Sequence, residues 1–198
     1  MAGKFDKEIL CIKRETFFRS GSWEGFQQEN LDEIYKLLLT ESEFKLRADL
    51  EENRAYLQII PQVVLKFGDT YYLHKQVDRN EKRLNSLCPL PLGGHVSEFE
   101  LDKNSTEDSI QQALQRELHE EVTTDFEVVK KTFLGVIYLD DNPVNSVHVG
   151  VVYVFEVSNN SAKVREEGLE TVGWMTLEYL KEHREELTYW SRMIVDYL

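Results

Sequence analysis

The apolar spacing along the chain changes period several times, and each change marks an element. The run ILCIKRETFFR mixes β-branched and aromatic residues and predicts a strand. Across residues 29–53, ENLDEIYKLLLTESEFKLRADLEEN, Leu31, Ile34, Leu37 and Leu38 recur at helical spacing and predict one or two helices. LQIIPQVVLKF and TYYLHKQ then flank Gly68-Asp69, the pattern of a β-hairpin. The polar stretch VDRNEKRLNS leads into LCPLPLGGHV, where two prolines and paired glycines predict a loop that lets backbone approach a neighbour closely.

Residues 105–122 predict a helix, with Ser105 and Asp108 spaced as a capping box. FLGVIYL and VHVGVVYVFEV predict strands. The charged loop SNNSAKVREEGLE separates them from a short strand at VGWMT. The C-terminal LEYLKEHREELTYWSRMIVDYL predicts a helix with Leu187, Trp190 and Ile194 on one face. Strands interspersed with helices, hairpins among them, indicate an α/β fold with a mixed sheet.

Composition narrows the functional classes. A chain of 198 residues, 41% hydrophobic and 11% aromatic, suits one fairly large globular domain. Its net charge of −13 and pI near 4.9 oppose binding to nucleic-acid polymers or anionic membranes. A divalent cation would therefore have to mediate contact with phosphates. The charged N-terminus, MAGKFDKEIL, lacks a signal-peptide core, and no apolar run has membrane-helix length. Two widely spaced cysteines, Cys11 and Cys88, lack metal-ligand spacing and point to a reducing, cytoplasmic setting.

RELHEEV, residues 116–122, concentrates the candidate chemistry. Counted from Ile110 at about 100° per residue, Leu114 falls near about 40°, Glu117 near about −20° and Glu121 near about 20°. Both glutamates thus continue the apolar stripe of Ile110, Ala113 and Leu114. Glu120 lies about 80° off that stripe, and His119 faces away. Carboxylates crowded on an inward face raise one another's pKa unless a cation intervenes, and clustered oxygens suit Mg²⁺ or Mn²⁺. A solvated face with Arg116 as counter-ion is the alternative.

LGGHV followed by an amphipathic helix ending in RELHEEV resembles the Nudix box, G-x5-E-x7-R-E-U-x-E-E-x-G-U with U aliphatic. The resemblance extends over residues 57–198 and includes EEGLETVGWMTLEYL. It is nearest to a branch described as MutT-type phosphoesterases with a similar N-terminal extension. It implies a Nudix-type α/β/α sandwich at 57–198, with residues 1–56 as an extension packed on the same domain. Two departures stand out. Glu107 and Asp108 follow Gly94 after twelve and thirteen residues rather than five, consistent with insertion of EFELDKNS. Thr123 occupies the position of the box's second glycine, so the helix exit is expected to differ.

The resemblance implies hydrolysis of a nucleoside diphosphate linked to another group. Glu117, Glu120 and Glu121 would bind Mg²⁺ or Mn²⁺, with the Gly94 carbonyl as a further ligand and Arg116 orienting the carboxylates. Glu167, ahead of Trp174, is the candidate general base, with Glu166 and Glu170 as competitors. Lys75, Arg79, Lys82, Arg83 and His95 are candidate phosphate contacts, though His95 also suits a hydrogen-bonded structural role. Asp140 and Asp141 suit a turn or a pocket lining, and His148 the core or a sheet face. Cys88 has no base-orienting surroundings to make it a nucleophile. The expected partner is a small phosphate-containing substrate, and homodimer formation stays open. The rival readings are a Nudix-fold nucleotide sensor of weak or no activity, and an acidic face that docks a protein.

Overall fold

β-Branched and aromatic runs dominate the order of elements. The computed structural model describes residues 5–77, 87–98, 106–123, 125–165 and 167–198. Its strands are β1 (Glu8–Lys13), β2 (Gly25–Gln27), β3 (Ser42–Leu46), β4 (Tyr56–Phe67), β5 (Thr70–Gln76), β6 (Leu92–Gly93), β7 (Val128–Tyr138), β8 (His148–Val157) and β9 (Leu169–Thr176). Its helices are α1 (Arg14–Phe17), α2 (Leu31–Glu41), α3 (Thr106–Glu121), α4 (Leu177–Glu182) and α5 (Tyr189–Val195). The strands form one mixed sheet ordered β2-β7-β8-β4-β1-β3; β5 and β6 also pair with β4, and β9 with β5. The α/β class is as expected.

The chain divides into two compact units. The first comprises Met1–Pro61, Gly93–Gln115 and Gly135–Val151. In it β1 pairs antiparallel with β3, from Glu8↔Leu46 to Ile12↔Ser42, and with the start of β4, Cys11↔Gln58 to Lys13↔Tyr56. β2 pairs with the end of β7, Gly25↔Tyr138 to Gln27↔Val136. The first 56 residues therefore supply sheet strands as well as helices. Ile34, Leu37 and Leu38 form the buried stripe of α2, which packs on β1 and β3. Asn30 caps α2 at φ 53, a left-handed conformation asparagine tolerates better than most residues. Its carbonyl accepts the Glu33 and Ile34 N–H groups.

The second unit comprises Gln62–Leu92, Arg116–Leu134 and Val152–Leu198. The expected hairpin is present: Lys66↔Tyr71 and Phe67↔Thr70 close it around Gly68, whose φ of 55 suits glycine. β5 pairs with β9 from Thr70↔Thr176 to Gln76↔Leu169, with a bulge between Leu73 and His74. Tyr72 is fully buried and lies 5.5 Å from the Trp174 ring. Thr176 caps α4 by accepting the Tyr179 N–H at 3.2 Å.

Three element expectations need correction. The predicted strand ILCIKRETFFR ends at Lys13, and Arg14–Phe17 turns into α1, with the Phe18 N–H returning to Arg14 O at 3.0 Å. SEFKL leaves the helical run of residues 29–53 and forms β3, because pairing with β1 satisfies its backbone. The C-terminal helix is two helices, with Leu187 extended between them at φ −88, ψ 152. Cys88 makes that break, donating its N–H to Glu186 O at 2.7 Å and accepting from Thr188 N at 3.1 Å.

Candidate functional site

Helix α3 sets the phase of the acidic residues. Ile110, Ala113 and Leu114 are fully buried and Leu118 nearly so, each leucine stabilising the fold by about 1.5–3 kcal/mol. Glu117 lies on this same stripe and is only 9% exposed, whereas Glu120 and His119 are exposed and Glu121 is half-buried. The order matches the helical arithmetic. A buried carboxylate is costly unless it is paired. Arg116 provides a partner: its Nη1 donates to Glu117 Oε1 at 2.6 Å and to Glu120 Oε2 at 3.0 Å.

The helix exit departs from a glycine cap. Thr123 donates its N–H to Lys163 O at 2.8 Å, and its Oγ1 accepts the Lys163 N–H at 3.2 Å. Val122 bridges Val164 antiparallel. Arg165 then covers two terminal carbonyls, donating N–H to Glu121 O at 2.8 Å and Nη1 to His119 O at 3.2 Å. A cation there also complements the negative end of the helix dipole. Asn30 is the only non-glycine residue with positive φ among those described, so Thr123 avoids the left-handed strain of a glycine exit. No sequence signal near position 123 announces Lys163 or Arg165 as its partners.

The remaining candidates are placed as follows. Gly94 follows β6 in the first unit and, like Gly93, has no positive φ. His95 next to it is bonded through Nε2 to Gln58 Oε1 at 2.8 Å, and its ring meets His148 edge-on at 5.5 Å. Gln58 is fully buried, a partner that sequence reading missed. His148 is bonded through Nδ1 to Val144 O at 2.6 Å, and burial pushes its pKa below the usual 6.5.

In the second unit, Glu167 is exposed in the turn before β9, where Gly168 (φ 87) accepts the Val77 N–H at 2.9 Å. Lys75 on β5 is half-buried and pairs in register with exposed Glu170. Arg79, Lys82, Arg83 and Glu166 lie outside the described residues, as do the side chains of Glu107 and Asp108 and the expected cap at Ser105. Cys88 is buried, and burial first, then Glu186, raises its thiol pKa, so it is no activated nucleophile. Asp141 and Asn142 build the expected turn, Asp141 Oδ1 accepting from Asn145 Nδ2 at 2.7 Å.

Among the described residues, no three His, Cys, Asp or Glu side chains converge as a formed metal group. The donors on α3 are nonetheless of the right kind. Glu117 and Glu121 offer hard carboxylate oxygens from the inner face, the ligand chemistry of Mg²⁺ or Mn²⁺.

Comparison with known proteins defines the class. The NUDIX domain matches residues 63–197. The chain belongs to the Nudix family, hydrolases that act on phosphoric anhydrides. Protein YmaB of Bacillus subtilis (strain 168) is 29% identical over 205 residues, covering 99% of both chains. The solved structure of Tm1382, described as a candidate Nudix hydrolase, superposes with a TM-score of 0.82 at 27% identity, over 96% of this chain and 97% of that one. The MutT NUDIX hydrolase of Burkholderia pseudomallei shares the fold, with a TM-score of 0.52 at 18% identity, over 71% and 97%.

Proposed function

We propose that this chain hydrolyses the diphosphate linkage of a small nucleoside-diphosphate-type compound, using Mg²⁺ or Mn²⁺. The observation that carries this reading is the buried Glu117 carboxylate, held on the core stripe of α3 with Arg116 against it. A fold gains nothing from a charge in that position unless the charge has work to do. Glu117, Glu120 and Glu121 would hold the cation, with the Gly94 carbonyl as a further ligand. When bound, the cation supplies neutralisation of the pyrophosphate charge.

The chain's own residues do the rest. Arg116 ties Glu117 to Glu120 and fixes their rotamers before substrate arrives. Water adds through oxygen to phosphorus, the bond from phosphorus to the bridging oxygen breaks, and the water proton passes to a carboxylate. Glu167, exposed in its turn, is the candidate acceptor. Lys75, Arg83 and His95 are the candidate phosphate contacts, and the net charge of −13 makes a mobile cation the means of recruiting an anionic substrate.

The test is a substrate screen over dinucleotides, nucleotide sugars, dinucleoside polyphosphates and oxidised nucleotides, with Mg²⁺ or Mn²⁺ and phosphatase-coupled detection. Turnover that disappears with EDTA and in the Glu120→Gln, Glu121→Gln double variant is the expected result. Turnover that survives in the double variant would remove these residues from the mechanism. Ligand-induced thermal stabilisation without turnover at any metal concentration would favour a nucleotide sensor.

A further inference from the structure

The first unit contains a cavity that the hydrolase reading leaves unassigned. It measures about 600 Å³, within the range of small-molecule sites, and is lined by Arg14, Phe18, Trp23, Glu24, Tyr138 and Asp140. Three of these are aromatic and fix one another edge-on. Phe18 meets Tyr138 at 4.9 Å and 65°, and Trp23 at 5.9 Å and 75°. Trp23 and Tyr138 meet at 6.3 Å and 88°. Tyr138 is buried and backs the wall, while the half-buried Phe18 and Trp23 present a preorganised apolar surface that covers a flat ligand at little entropic cost.

The polar lining has a definite sign. Arg14 donates through all three nitrogens: Nε to Arg54 O at 2.6 Å, Nη1 to the Tyr138 hydroxyl and Nη2 to Ser146 O. Its guanidinium also sits over the Tyr138 ring, 5.2 Å from the centroid. Arg14 is thus a strut of the wall. Against it stand the carboxylates of Glu24 and Asp140, with that of Glu15 also in the lining. Glu24 Oε2 accepts the Asp140 N–H at 3.3 Å, and Arg54 pairs with Asp140 Oδ1. Glu24 and Asp140 are therefore each held through one oxygen, leaving the second oxygen of each to accept. Three acids stand against two arginines, Arg14 committed to neutral oxygens and Arg54 already paired with Asp140, a balance that disfavours a phosphate and favours N–H donors.

We propose that this cavity binds a flat nitrogen heterocycle bearing adjacent N–H donors, a guanine-type edge, through ring contact with the aromatic wall and hydrogen bonds to Glu24 and Asp140. Carboxylates accept from such an edge in charge-assisted pairs, and aromatic side chains stack with any base. The inference is independent of the acidic helix.

Calorimetric titration of the full chain with guanosine tests it, with Trp23 fluorescence as the local reporter. Guanosine should bind and quench, with the quenching lost in Trp23→Phe. Inosine, which lacks the exocyclic amine, should bind about tenfold more weakly, as should guanosine to Glu24→Gln. Glu24→Gln keeps an acceptor for the Asp140 N–H, and an unchanged melting temperature would show that the fold is intact. The Glu120→Gln, Glu121→Gln variant should bind guanosine like the parent. Absent binding, equal affinity in Glu24→Gln, competition by inorganic phosphate, or weakened binding in the double variant would each overturn the proposal.

Discussion

Arg14 and Arg116 are two partly buried arginines in different chemical settings. Arg116 touches carboxylates, those of Glu117 and Glu120. Arg14 touches neutral oxygens, two carbonyls and a phenol. On the proposed function, the first neutralises carboxylates gathered to hold a divalent cation. The second joins residues 54, 138 and 146 to the start of the chain, and its loss is a loss of structure. Under the proposed function, activity and stability fall to different guanidinium groups, and substitutions can separate them.

The largest expected effect is on activity. Replacing Glu120 and Glu121 by glutamine should lower turnover at least about 100-fold while the urea midpoint barely changes, read by coupled phosphate release and equilibrium unfolding. A parallel fall in both quantities would erase the contrast. Next in size, Arg14→Ala should cost about 2–3 kcal/mol of stability, from loss of its hydrogen bonds to three partners, measured in urea. Stability within about 0.5 kcal/mol of the parent would contradict its role as a strut.

Thr123→Gly restores the family's usual residue and should nevertheless destabilise by about 1 kcal/mol. The hydroxyl bond to Lys163 is lost and backbone entropy is added, with no strain relieved in return. Thermal denaturation checks this, and stabilisation would show that the glycine geometry is still preferred. The smallest effect concerns pH. Burial holds the His148 pKa below 6.5, so the folded ring resists protonation that the unfolded ring accepts. Its contribution is nil above the unfolded value and turns against folding as pH falls through and below 6.5. Melting temperature from pH 7.5 to 5 should fall less steeply in His148→Gln; identical slopes would remove His148 from the acid response.

What could be read in the sequence depended on how local the cause was. The α3 stripe, the hairpin around Gly68 and the buried position of Glu117 follow from residue periods within a few turns. The strand SEFKL did not show itself, because its reason is pairing with β1, 30 to 38 residues earlier. The break at Leu187 has neither proline nor glycine, since Cys88 makes it from a distant segment. The cap of Thr123 lies forty residues away, at Lys163. In the candidate site the acidic residues were legible, while Gln58 behind His95 was not, because a lone glutamine in an apolar run has no periodicity.

The most direct measurement is Mn²⁺ binding to the full chain, followed by electron paramagnetic resonance, in the parent protein and in Glu117→Gln. The account predicts saturable binding that weakens at least about tenfold in Glu117→Gln with the melting temperature of the metal-free proteins unchanged. Equal Mn²⁺ affinity in the two proteins would contradict it.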